Sequence, residues 1–209
     1  MDYIFFDFNG TLVDDVDLCL DLLNEMLLQS GHKEVSKETY LKIFTFPIKT
    51  YYERAGFDFS KDDFDLLAKQ FIKEYTSRNI YCALYDDVIE VLDTLKKEGK
   101  ILIILSASEI EMMNKQLDMY GIRSYFKHII GKSDIYASGK SELGINFIKN
   151  SHLDLDKCVF IGDTLHDEET ALAMGISCIL VSRGHQDKEI LSRGHSKVVS
   201  SLKEALKLL

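Results

Sequence analysis

The sequence predicts an α/β fold: a doubly wound, mostly parallel sheet with a helical subdomain inserted after its first strand. Three observations carry this. Short apolar runs alternate with amphipathic segments through most of the chain, the pattern of a parallel sheet covered by helices. Several of those runs end in a carboxylate or hydroxyl, where open α/β sheets present their ligands. Residues 16–82 break the alternation and show helical stripes only.

Tyr3 to Phe8 reads as a short apolar strand. Ile101 to Leu105 is another, preceded by a helix with Val88, Val91, Leu92 and Leu95 at helical spacing and ended by Gly99. His128 to Gly131 makes a third, after a helix from about Glu109 to Tyr120 that Gly121 closes. Cys158 to Ile161 and Ser177 to Val181 are further strands, with a helix over Glu168 to Met174 between them. Lys197 to Val199 fits a last edge strand, and Ser201 with Glu204 fits a capping box for the closing helix. The interruption holds Leu18, Leu22, Leu23, Met26 and Leu27 in one stripe and Phe64, Leu67, Ala68, Phe71 and Ile72 in a second. Such stripes are the inward faces of a small helical core. The expected division is therefore a core domain of residues 1–15 and 83–209 and a helical cap of residues 16–82. Pro47 and Gly56 punctuate the middle of the cap.

At 209 residues, 46% hydrophobic and 28% charged, the chain has the composition of a globular protein able to bury a core. Its net charge of -9 repels nucleic-acid backbone and anionic lipid, which argues against both as partners. A small anionic ligand would need a local positive pocket. The N-terminus has no basic leader, and the longest aliphatic run, Ile101 to Leu105, is far too short to cross a bilayer. Cys19, Cys82, Cys158 and Cys178 show no paired metal-ligand spacing. Cys158 and Cys178 lie in strand-like runs and read as buried structural thiols, which fits a reduced cytoplasmic setting. Nothing in the sequence speaks to oligomeric state.

The chemistry begins at Phe5-Phe6-Asp7-Phe8-Asn9-Gly10-Thr11, where an apolar strand ends in a carboxylate and turns through glycine. A later strand, Cys158 to Ile161, leads into Gly162-Asp163-Thr164-Leu165-His166-Asp167. If the two strands are neighbours, Asp7, Asp163 and Asp167 converge. Such a cluster requires raised pKa values or a bound cation, and hard oxygen donors favour Mg2+. Ser106, after Ile101 to Leu105, offers a hydroxyl beside backbone N–H groups, and Lys140 precedes a helix as a point charge for phosphate.

In this order the motifs resemble the haloacid-dehalogenase-like hydrolase superfamily over essentially the whole chain. Asp7-Phe8-Asn9-Gly10-Thr11 matches its Asp-x-Asp-x-Thr motif except at Asn9, and Ser106 matches its second motif. Lys140 matches the third, with Ser141 where a proline often follows, and Gly162, Asp163 and Asp167 match Gly-Asp-x-x-x-Asp in full. The helical insert is similar to the cap of the phosphoglycolate-phosphatase and β-phosphoglucomutase branch. The resemblance implies a phosphatase acting on a small phosphorylated metabolite. Asp7 would be the nucleophile that forms an aspartyl-phosphate. Asp7, Asp163, Asp167 and the backbone carbonyl of Asn9 would hold Mg2+, and Thr11, Ser106, Ala107 and Lys140 would bind the phosphoryl oxygens.

Asn9 departs from the motif, because an amide has no titratable proton to give a leaving group or take from water. The expectation is slow turnover, a preference for acyl or aryl phosphates, or another acid, with His166 and Asp15 as candidates by sequence proximity. The alternatives are a catalytically silent phospho-ligand-binding relative and a phosphoacceptor signalling domain. The large helical insert and the late aspartates count against the latter. Lys49, Tyr51, Tyr52 and Arg54 read as exposed surface that could reach a substrate, and Asp14, Asp15 and Asp17 as favouring a helix N-terminus through its dipole. The remaining histidines, His185 among them, receive no role.

Overall fold

A computed structural model describes residues 1–133 and 139–209. The chain opens with β1 (Tyr3–Phe6) and a two-residue strand β2 (Val13–Asp14), then runs through α1 (Val16–Gln29), α2 (Lys37–Ile43), α3 (Ile48–Ala55) and α4 (Phe64–Arg78). A short β3 (Ala83–Leu84) pairs antiparallel with β2, so the helical stretch leaves and rejoins the sheet region through a narrow two-strand stem. The alternating part follows as α5 (Val88–Lys97), β4 (Ile101–Glu109), α6 (Ile110–Met119), β5 (Phe126–Lys132), α7 (Lys140–Ser151), β6 (Cys158–Gly162), α8 (Leu165–Met174) and β7 (Ser177–Val181). A short α9 (Lys188–Leu191), β8 (Lys197–Val199) and α10 (Leu202–Leu206) complete it.

The main sheet has six strands in the order β5-β4-β1-β6-β7-β8, and every pairing is parallel. Period-two alternation buries both faces. Ile4 and Phe6 of β1 join Leu102 and Ile104 of β4 under α5, α6 and α10, whereas Phe5 joins Ile103, Leu105 and Phe160 under α7 and α8. From β1 the sheet grows through β4 and β5 on one side and through β6 and β7 on the other. The reversal between β1 and β6 creates the crevice where ligands of such sheets bind.

The helices between β2 and β3 have a core of their own, built from Leu22, Leu23, Met26, Leu27, Tyr40, Tyr51, Tyr52, Phe57, Leu67 and Tyr75 among others. Ile72, expected on the inner stripe of α4, is exposed, and Tyr75 takes the inward position instead. Tyr51 and Tyr52 are 4% and 2% exposed, so the expectation of a surface pair is corrected: they are interior packing. Lys49 lies over the Phe59 ring at 5.3 Å. Helix α8 starts at Leu165 rather than near Glu168, because Thr164 and Asp167 form a capping box there. At α10, Ser201 caps Glu204 N–H as expected, but the Glu204 carboxylate accepts from Ser200 N–H, one residue outside the expected box.

Phe5 is fully buried, stacked 6.5 Å from Phe160 and edge-on to Phe147 at 5.9 Å. Phe5→Ala is expected to destabilise the fold by about 3–5 kcal/mol, read as a lower urea midpoint at unchanged slope.

Candidate active site

β6 pairs directly with β1, with Phe6 beside Ile161, so the turns that follow the two strands face each other. One carboxylate oxygen from each of Asp7, Asp163 and Asp167 lies within 4.8 Å of the other two. The condition set by the sequence is met. Asp163 and Asp167 are 0% and 1% exposed, and the Asp7 side chain is 13% exposed.

Lys140, at the first turn of α7, brings the compensating charge. Its Nζ lies 2.6 Å from Asp7 Oδ1, donates to Asp167 Oδ1, and sits 4.8 Å from the Phe160 ring centroid. Burial opposes its ammonium, but Asp167 and Asp7 outweigh that and hold its pKa above the usual lysine range. Burial likewise pushes Asp167 up, and Lys140 more than reverses it, so this carboxyl stays below the ordinary range. At Asp7 burial wins, and the carboxyl rises to about 6 despite Lys140. Asp163 rises to about 7 through burial, with Asp167 and Asp7 adding to the rise against the pull of His185. Two of the three carboxyls are thus short of positive charge, and the donors offered are hard oxygens. That set fits a small divalent cation.

The remaining bonds fix the carboxylates in place. Asp167 Oδ2 accepts from the N–H groups of Asp163 and Thr164 at 3.0 and 2.9 Å and from Thr164 Oγ1 at 2.8 Å. Asp163 Oδ1 accepts from Thr11 Oγ1 at 2.9 Å, and its Oδ2 from His185 N–H at 2.7 Å. Gly10 sits at φ +71°, and a Cβ there would fall 2.3 Å from Asp163 Oδ2, so glycine is required for both backbone and space. Ser106, 2% exposed, ends the regular part of β4, and its Oγ accepts from Ser108 N–H at 3.2 Å. Ala107 follows it where the β4–β5 register shifts between Leu105 and Glu109. Ala137 and Ser138, which precede Gly139 and Lys140 in the sequence, lie outside the described residues.

Asn9 has a different set of partners. Its Nδ2 donates to Asp15 Oδ2 at 3.0 Å and to Tyr75 OH at 2.5 Å, while its Oδ1 is buried with no partner among the described residues. Asp15 is 1% exposed and stands at the N-cap of α1 without a side-chain cap bond. It accepts from Gly10 N–H at 3.0 Å and from Tyr75 OH at 2.8 Å, and lies 3.3 Å from His185 Nε2. Burial pushes its pKa up, but His185, Tyr75 and Gly10 together hold it below the ordinary range, so it is ionised and poorly suited to donate a proton. His166, the other acid suggested by proximity, has its Nδ1 3.2 Å from Glu169 and its ring 4.5 Å from Phe46, on the wall of a cavity of about 220 Å³ that Lys42, Arg54 and Arg193 also line. His185 is the residue that sequence reasoning missed. It is 6% exposed, its Nδ1 lies 2.8 Å from Tyr40 OH, and its pKa rises to about 9: burial opposes the charge, but Asp15 and Asp163 favour it. Only its place four residues beyond Val181, at a strand end, could have drawn notice.

Among the described residues no helix is long and apolar enough to cross a membrane. A phosphoglycolate phosphatase from Pseudomonas fluorescens (strain Pf0-1) is 26% identical over 97% of this chain and 78% of its own length. One from Mesorhizobium japonicum is 27% identical over 94% of this chain and 89% of its own. The fold superposes on the crystal structure of a predicted phosphatase from Clostridium acetobutylicum with a TM-score of 0.83, at 21% identity, covering 99% of this chain and 97% of that one. It matches a haloacid dehalogenase-like family hydrolase from Streptococcus pneumoniae with a TM-score of 0.80, at 19% identity, covering 100% and 98%. The family model for haloacid dehalogenase-like hydrolase matches residues 4–181, which includes both strand-end aspartate motifs, and the chain belongs to that family.

Proposed function

We propose that this chain is a Mg2+-dependent phosphatase that attacks a small phosphorylated metabolite with Asp7. The observation that carries the reading is the meeting of Asp7, Asp163 and Asp167 around one point, with Lys140 2.6 Å from Asp7. Asp7, Asp163, Asp167 and the backbone carbonyl of Asn9 would hold the ion. When bound, Mg2+ offsets the clustered negative charge and draws electron density from the phosphoryl group.

An Asp7 oxygen forms a bond to phosphorus as the bond to the leaving oxygen breaks, and that oxygen departs with the electron pair. Water then attacks the aspartyl-phosphate, releasing inorganic phosphate and restoring the carboxylate. Lys140, Ser106, the backbone N–H of Ala107 and Thr11 would bind and orient the phosphoryl oxygens, so that catalysis rests on positioning and charge. Residues 16–82 would form a cap that excludes water from the reaction. The relatives named phosphoglycolate phosphatases make phosphoglycolate the first substrate to assay.

Asn9 cannot protonate the leaving oxygen, and Asp15 is held ionised by its neighbours. Substrates with a good leaving group are therefore favoured over alkyl esters. In Asn9→Asp the new carboxyl would lie beside the Asp15 carboxylate, a neighbour that raises its pKa and suits it to act as an acid. The variant is expected to turn over phosphoglycolate about 10²–10⁴-fold faster, with a smaller gain on p-nitrophenyl phosphate. Steady-state kinetics on both substrates decide it, and no gain on the alkyl ester would refute the missing-acid account. Asp7→Asn should abolish turnover of both.

The raised carboxyls also set the pH dependence of stability. Asp7 and Asp163 titrate near 6 and 7 when folded, against about 3.9 in an unfolded chain. The folded state then binds more protons through that interval, so stability is lost as pH rises through it. His185, raised to about 9, acts in the same direction at higher pH. The metal-free protein should show a falling Tm from about pH 5 to pH 8, and Mg2+ should raise Tm more at the upper end than at the lower. A metal-free Tm that climbs over this range would contradict the electrostatics assigned to the site.

A further inference from the structure

A second group of metal-ligating atoms adjoins the aspartates and takes no part in the proposed hydrolysis. Asp15, Cys19 and His185 are all buried, and one ligand atom from each lies within 4.8 Å of the other two. Cys19 Sγ is 3.7 Å from Asp15 Oδ2, and His185 Nε2 is 3.3 Å from Asp15 Oδ1. The donors come from separate parts of the fold, Asp15 and Cys19 from the start of α1 and His185 from the loop after β7.

We propose that Asp15, Cys19 and His185 form a second metal site, specific for a zinc-class divalent cation, that staples the helical block to the sheet. The donor chemistry separates it from the aspartate cluster. A thiolate, an imidazole and a carboxylate suit zinc-like ions, whereas Mg2+ requires a shell of oxygen. Tyr40 OH, 2.8 Å from His185 Nδ1, would accept an N–H there and leave Nε2 as the ligating nitrogen, the outer support that metal-bound histidines require. Binding would displace the Cys19 thiol proton and free His185 Nε2 for the ion, and water would complete a tetrahedral set.

Co2+ is the probe, titrated into the full chain in excess Mg2+, because thiolate ligation to cobalt produces a near-ultraviolet charge-transfer band that oxygen ligation does not. The wild type and Cys158→Ala are expected to develop the band to saturation at one equivalent. Cys19→Ser, its fold verified by circular dichroism, should lack it. Tyr40→Phe should keep the band with an affinity about 10–100-fold weaker. Zn2+ should bleach the band and raise the wild-type Tm, and His185→Gln should abolish that rise. A band that persists in Cys19→Ser would overturn the site, as would cobalt binding to the wild type with no charge-transfer band.

Discussion

Three carboxylates are brought together, largely out of water, at the open end of a parallel sheet, and the surrounding architecture answers the electrostatic cost. Burying a charge is tolerable only where it is paired and hydrogen-bonded. Lys140 bridges Asp7 and Asp167 from the first turn of α7, and Thr11, Thr164 and the backbone N–H groups of Asp163, Thr164 and His185 fill the other acceptor positions. Even the space is allocated to the carboxylates, since a Cβ on Gly162 would fall 2.3 Å from Asp167 Cγ. The partial shortfall that remains, concentrated on Asp7 and Asp163, is what makes this edge receptive to a cation.

The same logic explains why an amide occupies position 9. Asp15 is buried and ionised, and its Oδ2 needs donors. Asn9 supplies one at 3.0 Å and Tyr75 another at 2.8 Å. A carboxylate at position 9 would set two buried anions against each other beside a cluster that already holds three. Asn9 and Asp15 are thus a matched pair, donor to acceptor. The departure from the family motif at position 9 is built into the loop's hydrogen bonding rather than being an isolated change.

The parts of this site that were legible in the sequence are those carried by strand ends. Asp7, Ser106 and Asp163 each follow an apolar run, and the run itself reveals where the next side chain emerges. The six strands were legible for the same reason, although β5 extends beyond the expected His128 to Gly131 to span Phe126–Lys132. What could not be read are the contacts that depend on how the helical block docks. Tyr75 reaches Asp15 across 60 residues, and Tyr40 reaches His185 across 145. A tyrosine at helical spacing signals a core position, and nothing in its neighbours tells that its hydroxyl ends beside the aspartate cluster. Asp15 stands at the N-cap of α1, as its place before the helix suggests, but its bonds to Gly10, Asn9 and Tyr75 depend on the tertiary fold and were not legible.

Those two tyrosines have a consequence for motion. Tyr75 of α4 and Tyr40 of α2 pack in the helical core, yet their hydroxyls bond to Asn9, Asp15 and His185, the groups that hold the turn after β1. Any displacement of the helices from the sheet must break these buried bonds, and each polar group left unsatisfied costs about 1–3 kcal/mol until water reaches it. Asp15 would lose a donor that helps keep it ionised, and the Asn9 amide would lose its bond to Tyr75. Two hydroxyls of the helical block thus complete the hydrogen bonding of the turn after β1 and of the loop after β7, beside the bonds that Gln186 and Asp187 donate to the carbonyls of Phe44 and Leu41.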